Sequence, residues 1–211
     1  MTVLNIVKMG HPVLRKKALK VPFKDFDKIK DLVNNMKETL EHIGASGLAA
    51  PQVLVRKRVV VYRVNSNRIP KNADFKKIPW TIMINPTITP LLKNKKEYWE
   101  RCLSIPGLHG KVPRYSSILV EYYNLNKKLV THKAHSTWAA LIEHECDHLD
   151  GVLYPMRMKN LSYFGFNDTP GDVAKDMVKR KESIEVSVKA ITFQSETGVK
   201  EIKEDGTIIN I

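Results

Sequence analysis

The sequence predicts an α+β protein in which mostly antiparallel sheets surround a central helix. Three observations lead to this prediction. Residues 25–44 show a helical pattern, residues 58–134 hold several short strand-like segments, and residues 135–151 form a second helical pattern that carries the letters HECDH. Short strands that follow one another between turn residues favour antiparallel pairing.

The length and composition are those of a globular protein. A chain of 211 residues, 43% hydrophobic and 27% charged, suits one domain with an extension. We place a catalytic domain at residues 1–158 and an extension at residues 159–211. No apolar run approaches the roughly 18 residues of a membrane span, and the N-terminal segment lacks a signal-peptide pattern. We therefore expect a cytoplasmic protein with no membrane partner.

The formal net charge is +13. The excess lies in residues 1–158, because Lys and Arg are nearly balanced by Asp and Glu in residues 159–211. A positive surface fits work near RNA, although solubility or a general lysine bias explains it equally well. We expect no DNA partner, and no nucleic-acid-binding motif accompanies the charge.

The first helical pattern is amphipathic. Its apolar residues recur at spacings of three and four, which places them on one helix face: Ile29, Leu32, Val33, Met36, Leu40 and Ile43. Asp25 or Asp27 is a candidate N-cap and Gly44 a candidate stop.

Five segments rich in Val, Ile, Tyr and Thr predict strands. They are residues 58–64, 80–88, 97–105, 117–124 and 128–134. The polar, proline-containing stretch at residues 65–79 predicts an exposed loop. In the extension we expect a short helix over residues 170–182 followed by a hairpin, and we assign this region no function.

The second helical pattern places two histidines on one face. Ser136 or Thr137 can cap its start, and Gly151 can end it. His144 and His148 are four residues apart, or about 40° around the helix axis, so that both can bind one cation.

Two neighbours of these histidines have different predicted roles. Glu145 follows His144 directly and can reach a metal-bound water without being a ligand. Cys146 points nearly opposite His144, which predicts a buried structural position. A chance pair of histidines remains the alternative for HECDH alone, since a catalytic site usually needs three protein ligands. The extended motif HExxHxxGxxH does not supply the third, because Tyr154 stands at its last position.

Two further stretches complete a pattern. "GLAAPQ" occupies residues 47–52 and "ERCLSIPG" occupies residues 100–107. Together with HECDH they resemble the peptide deformylase family, whose members carry the boxes G-x-G-L-A-A-P-Q, E-G-C-L-S and H-E-x-D-H in this order. The resemblance extends over residues 3–158.

The resemblance implies a site and a reaction. The implied metal ligands are Cys102, His144 and His148; the implied catalytic groups are Glu145 as general acid and base, with Gln52 and the backbone N–H of Leu103 as oxyanion donors; the implied substrate-binding residues are Ser46, Gly47 and Arg101. Gly47 would let the substrate backbone approach. The reaction is removal of the formyl group from N-formylmethionine of nascent polypeptides, with release of formate.

The resemblance also implies one divalent metal ion per chain, with Fe²⁺ expected and Zn²⁺ or Ni²⁺ as alternatives. Formylated nascent peptides are the expected partners, and the ribosome surface is a further candidate. Two residues depart from the family boxes: Ala45 replaces the first glycine of the first box, and Arg101 replaces the glycine before Cys102. Since side chains alternate along a strand, Arg101 should point away from the face that carries Cys102.

Two other functions remain open at this point. One is a zinc endopeptidase of the HExxH type, for which Glu182 or Glu185 would have to be the third ligand. The other is a catalytically weak deformylase-like binding protein with a basic surface.

Overall fold

A computed structural model describes residues 2–69, 75–168, 193–195, 198–202 and 208–210. The chain forms two compact units, Met1–Thr169 and Pro170–Ile211. Within the described ranges, no helix is long and apolar enough to cross a membrane.

In its described residues the first unit combines two α-helices with two antiparallel sheets, which confirms the predicted α+β class. The helices are α1 (Lys30–Ile43) and α2 (Ser136–Leu149). The strands are β1 (Gly47–Ala49), β2 (Val59–Val64), β3 (Ile78–Pro90), β4 (Lys95–Cys102), β5 (Ile105–Tyr115), β6 (Ser117–Tyr123), β7 (Leu129–His135) and β8 (Gly165–Phe166). One sheet has the order β1-β2-β3-β6-β7 and the other β4-β5-β8.

Helix α1 forms where the apolar spacing predicts it. Val33, Met36 and Leu40 are buried against the inner face of the five-stranded sheet, and Gly44 ends the helix with a φ of 74°. The predicted cap by Asp25 or Asp27 is wrong. The N-cap is Ile29 without a side-chain hydrogen bond, because both aspartates lie in preceding 3-10 turns and pair with lysines instead.

The five predicted strands are confirmed as β2, β3, β4, β6 and β7. Strand β5 has no separate counterpart in the prediction. It contains Pro106, Gly107, Gly110 and Pro113, which are residues typical of turns rather than strands. Pairing with β4 over most of its length nevertheless makes it a strand.

Helix α2 is the central helix. It contacts β1, β2, β6 and β7 of one sheet and β5 of the other. It begins at Ser136 with His135 as N-cap and no side-chain cap, so the predicted cap by Ser136 or Thr137 is wrong. Gly151 follows its end with a φ of 75°. A Cβ at Gly151 would lie 2.8 Å from the carbonyl carbon of Arg15, so this turn requires glycine.

The second unit contains a three-stranded antiparallel sheet, β9 (Phe193–Ser195), β10 (Gly198–Ile202) and β11 (Ile208–Asn210). The helix expected at residues 170–182 lies outside the described residues. In the first unit, Phe166 of β8 pairs with Leu108 of β5, so the antiparallel sheet continues beyond residue 158. The division into a catalytic domain at residues 1–158 and an extension at residues 159–211 stays a prediction.

Candidate metal centre

Three side chains from two distant parts of the sequence form a cluster that could hold a metal ion. One ligand atom from each of Cys102, His144 and His148 lies within 4.8 Å of the others. Sγ of Cys102 is 3.3 Å from Nε2 of His148. One thiolate and two imidazoles suit a divalent ion such as zinc or ferrous iron, with metal–ligand distances of about 2.0–2.3 Å.

The two rings carry their charge differently. Nδ1 of His144 donates a hydrogen bond to Oε2 of Glu100 at 2.7 Å, which leaves Nε2 available. Burial lowers the pKa of His144, but hydrogen bonds to Cys102 and Glu100 raise it above its ordinary value overall. Burial, together with the nearby cations His144 and Arg114, lowers the pKa of His148 well below its ordinary value. His148 is therefore in the neutral form that binds metals, whereas His144 would have to give up its Nε2 proton to bind an ion.

Glu145 lies in the same buried region. Its side chain is 4% exposed, and its Oε2 atom has no hydrogen-bond partner among the described residues. Burial raises its pKa to about 7. Gly47 makes room for this carboxylate, because a Cβ there would overlap its oxygen and lie 2.8 Å from its Cδ. The position therefore requires glycine because the Glu145 carboxylate occupies the space of a Cβ. The contact of Gly47 with substrate stays a prediction.

Gln52 is held in one orientation. Its Oε1 accepts from the backbone N–H of Ala49 at 2.8 Å, and its Nε2 donates to Oγ of Ser104 at 3.2 Å and approaches Sγ of Cys102 at 3.7 Å. Its amide N–H groups therefore face the cluster. Leu103 lies between Cys102 and Ser104, in the turn from β4 to β5.

The remaining predicted residues are placed as follows. Arg101 is exposed between the buried Glu100 and Cys102, so the predicted alternation along β4 is confirmed. Ser46 precedes β1, and its carbonyl accepts from the N–H of Arg63 at 2.9 Å. Ala45 is not in the left-handed region; the departure from glycine therefore causes no backbone strain.

Cys146 lies away from the cluster. It is 6% exposed and packs in an apolar core with Ile142 and Leu149, and burial raises the pKa of its thiol. Its predicted structural position is confirmed.

Sequence reasoning missed four residues around the cluster: Glu100, Ser104, Arg114 and Asp147. Glu100 and Ser104 belong to ERCLS and Asp147 belongs to HECDH, so their place in the two boxes that contain the ligands was an available signal. Arg114 lies in the stretch VPRY at residues 112–115, outside the three boxes. No sequence pattern indicated that a charged arginine would be 2% exposed.

An antiparallel α+β fold that brings a cysteine and two histidines together beside a buried carboxylate is an arrangement expected of a metal-dependent hydrolase. The sequence model of one such family, described as Polypeptide deformylase, matches residues 3–163. The chain belongs to this family.

Curated relatives and solved structures agree with this assignment. Peptide deformylase 1 of Nitrosomonas europaea is 38% identical over 173 residues, which cover 81% of this chain and 97% of the relative. Peptide deformylase 2 of Pseudomonas syringae pv. tomato is 41% identical over 167 residues, covering 78% and 92%.

A crystal structure of class I type b peptide deformylase from Acinetobacter baumannii with Met-Ala-Ser bound superimposes with a TM-score of 0.69. The two sequences are 29% identical, and the match covers 74% of this chain and 99% of the Acinetobacter chain. Peptide deformylase from Thermotoga maritima gives a TM-score of 0.65 at 31% identity, with 76% of this chain and 100% of that chain covered.

Family membership decides between the open functions. The chain is an enzyme of protein biosynthesis, a metal-dependent hydrolase that removes the formyl group from nascent polypeptides. The alternatives of an endopeptidase and a weak binding protein lose their support. Glu182 and Glu185, which the endopeptidase would need, lie outside the described residues.

Proposed function

We propose that this chain deformylates N-formylmethionine peptides at the cluster of Cys102, His144 and His148, with Glu145 as the proton-transferring group. The observation that supports this proposal is the meeting of three ligand atoms beside a buried carboxylate oxygen without a partner. Cys102 comes from β4 and the other three groups come from α2, at least 42 residues further along the chain.

The donor set fits a divalent ion, and we expect Fe²⁺ natively with Zn²⁺ or Ni²⁺ as alternatives. When bound, such an ion supplies a Lewis acid that makes water nucleophilic near neutral pH. The protein residues around it provide the orientation, the proton transfer and the exclusion of water.

Glu145 is suited to move the proton. Its unpartnered Oε2 can accept a proton from water and return it to the departing amine. Because burial raises its pKa to about 7, both the proton-accepting and proton-donating forms are available near neutral pH. Gly47 leaves the space in which this carboxylate lies.

Gln52 and Leu103 are suited to stabilise the negative charge that develops on the formyl oxygen. The Nε2 group of Gln52 is fixed beforehand, since its Oε1 is bonded to Ala49, and the backbone N–H of Leu103 is adjacent to the thiolate ligand. Preorganised donors of this kind act in the transition state. We assign substrate contacts to Ser46, Gly47 and Arg101 around this position.

Contact with the ribosome surface remains part of the proposal. Its support is the positive charge of residues 1–158, which would attract RNA phosphates.

The test compares the two cysteines. Cys102→Ala, His144→Ala and His148→Ala should each lose stoichiometric metal and the release of formate from formyl-Met-Ala-Ser, because removal of one ligand forfeits both affinity and geometry. Cys146→Ala is the matched control, since this buried cysteine of α2 packs in the apolar core, and it should retain both. Full metal occupancy in Cys102→Ala would falsify the ligand assignment.

The identity of the metal can be tested by the sensitivity of the enzyme to oxygen. A ferrous ion with a thiolate ligand should make the enzyme lose activity faster in air than under nitrogen. Equal lifetimes in air and under nitrogen indicate zinc or nickel.

A further inference from the structure

Arg114 on β5 is a fully buried cation with partners on two other elements. Its Nε and Nη2 donate to Oε1 and Oε2 of Glu100 at 2.6 and 2.9 Å, and its Nη1 donates to Oδ2 of Asp147 at 2.6 Å. The bond to Glu100 is bidentate, a geometry that a planar guanidinium allows and an ammonium does not. Arg157 completes the network through a 2.8 Å bond to Oδ1 of Asp147.

Glu100 connects this arginine to a proposed metal ligand. Its Oε2 accepts both from Nη2 of Arg114 and from Nδ1 of His144 at 2.7 Å. Glu100 lies on β4, two residues before Cys102, and Asp147 lies on α2, directly before His148. Arg114 therefore ties the strand that carries the thiolate to the helix that carries both imidazoles.

The two imidazoles differ in this respect. Nδ1 of His144 is held by a carboxylate, whereas the buried Nδ1 of His148 has no partner in the described part of the chain. The orientation of the His144 ring depends on Glu100. The orientation of Glu100 depends in turn on the two parallel bonds from Arg114.

We propose that Arg114 is a positioning residue for the metal centre. Its fork fixes the Glu100 carboxylate, which holds the proton of His144 at Nδ1 and so presents the Nε2 lone pair to the ion. This inference rests on the proposed function, since it takes His144 as a ligand. Loss of such an outer partner typically weakens metal binding about 10- to 100-fold.

The chain offers a matched control in Arg58. Its Nη1 donates to Oδ1 of Asp150 at 2.6 Å and to the carbonyl of Leu149 at 3.3 Å. Arg58 thus also binds the C-terminal end of α2, but its side-chain hydrogen bonds go to Leu149, Asp150 and Pro86 rather than to Glu100 or a proposed ligand. Arg114→Lys and Arg58→Lys remove the same fork and keep the same charge at the two positions.

The experiment titrates metal-free protein with Co²⁺ against a competing chelator and records the visible spectrum of the bound ion. Arg114→Lys should raise the Kd for Co²⁺ about tenfold or more and change the spectrum, while Arg58→Lys should match the wild type in both. With metal saturating, Arg114→Lys should lower kcat for formyl-Met-Ala-Ser and leave KM unchanged.

Glu100→Gln is a second variant that tests the same connection between Arg114 and His144, and it can be measured even if Arg114→Lys fails to fold. Glu100→Gln should raise the Kd for Co²⁺. The double variant of Arg114→Lys and Glu100→Gln should have a Kd little higher than that of either single variant, because both substitutions act through the Glu100 carboxylate. An unchanged Kd and spectrum in folded Arg114→Lys would overturn the inference, as would equal weakening in Arg58→Lys or additive effects in the double variant. If Cys102→Ala binds Co²⁺ like the wild type, the proposed ligand set fails instead.

Discussion

Helices α1 and α2 have the same length, 14 residues, but bury opposite kinds of side chain. In α1 the buried positions are Val33, Met36, Thr39 and Leu40, nearly all apolar and on one stripe. In α2 every residue from His144 to Leu149 is buried, so this half of the helix is enclosed on all sides. Four of those six residues carry an imidazole or a carboxylate: His144, Glu145, Asp147 and His148.

This difference teaches where each helix obtains its stability. The apolar stripe of α1 needs only a hydrophobic surface, which β2 and its neighbours provide. The polar residues of α2 need specific partners, because a buried charge without one costs several kcal/mol. Asp147 finds Arg114 and Arg157, and His144 finds Glu100. The Oε2 atom of Glu145, by contrast, is buried without a hydrogen-bond partner in the described part of the chain.

Among variants that keep their metal, the largest effect on activity should come from the Glu145 carboxylate. Glu145→Gln preserves shape but cannot accept the proton from water, so formate release should fall about 10²- to 10⁴-fold while metal content stays at the wild-type level. Glu143→Gln is the matched control two residues earlier on α2, where Oε1 accepts from the N–H of Tyr115 at 2.9 Å. An amide oxygen can still accept that bond, and the rate should change little. A Glu145→Gln rate above a tenth of the wild type would require another base.

Gln52→Ala should have the next largest effect. Removal of one oxyanion donor commonly costs about 10²- to 10³-fold in kcat, and a contact made in the transition state lowers kcat more than it raises KM. The measurement is the full kinetics of formyl-Met-Ala-Ser turnover at saturating metal. A change confined to KM would remove Gln52 from the oxyanion site.

A truncation in α1 should reverse the pattern. Met36 is completely buried, so Met36→Ala should lower the free energy of unfolding by about 2–5 kcal/mol. The folded fraction should keep its metal stoichiometry and its kcat, because α1 bears none of the proposed ligands. Chemical denaturation and metal analysis measure the two halves of this prediction. If fully folded Met36→Ala loses its metal, then α1 contributes to the metal centre as well as to stability, which contradicts this prediction.

The smallest expected effect belongs to Arg101→Gly. Arg101 is exposed on β4 beside Cys102, and a guanidinium at the rim of a cleft can pair with an acidic group of a bound peptide. The substitution should leave metal content unchanged, alter KM and shift the preference between acidic and basic residues after formylmethionine. If the wild type and Arg101→Gly have identical kinetics over such a peptide series, Arg101 is a surface residue without a role in substrate binding.

Much of the fold followed from local patterns. The spacing of apolar residues in α1 and the β-branched segments of β2, β3, β6 and β7 are properties of adjacent residues, so they could be read directly. Helix caps were less predictable. Asp25 and Asp27 were plausible caps by residue type, yet their carboxylates bind lysines. Strand β5 was hidden because its glycines and prolines are strand breakers unless a partner strand is present.

The sequence by itself determined the helix that carries His144 and His148 and, through three ordered motifs, the family and the residue types of the site. Only the tertiary structure decided that Arg114 would be buried between Glu100 and Asp147, and that Gly47 would leave room for Glu145. The physical reason is distance along the chain. A motif records which side chains are present, whereas the desolvation of a charge and its choice of partner depend on strands and helices that meet only in the folded protein.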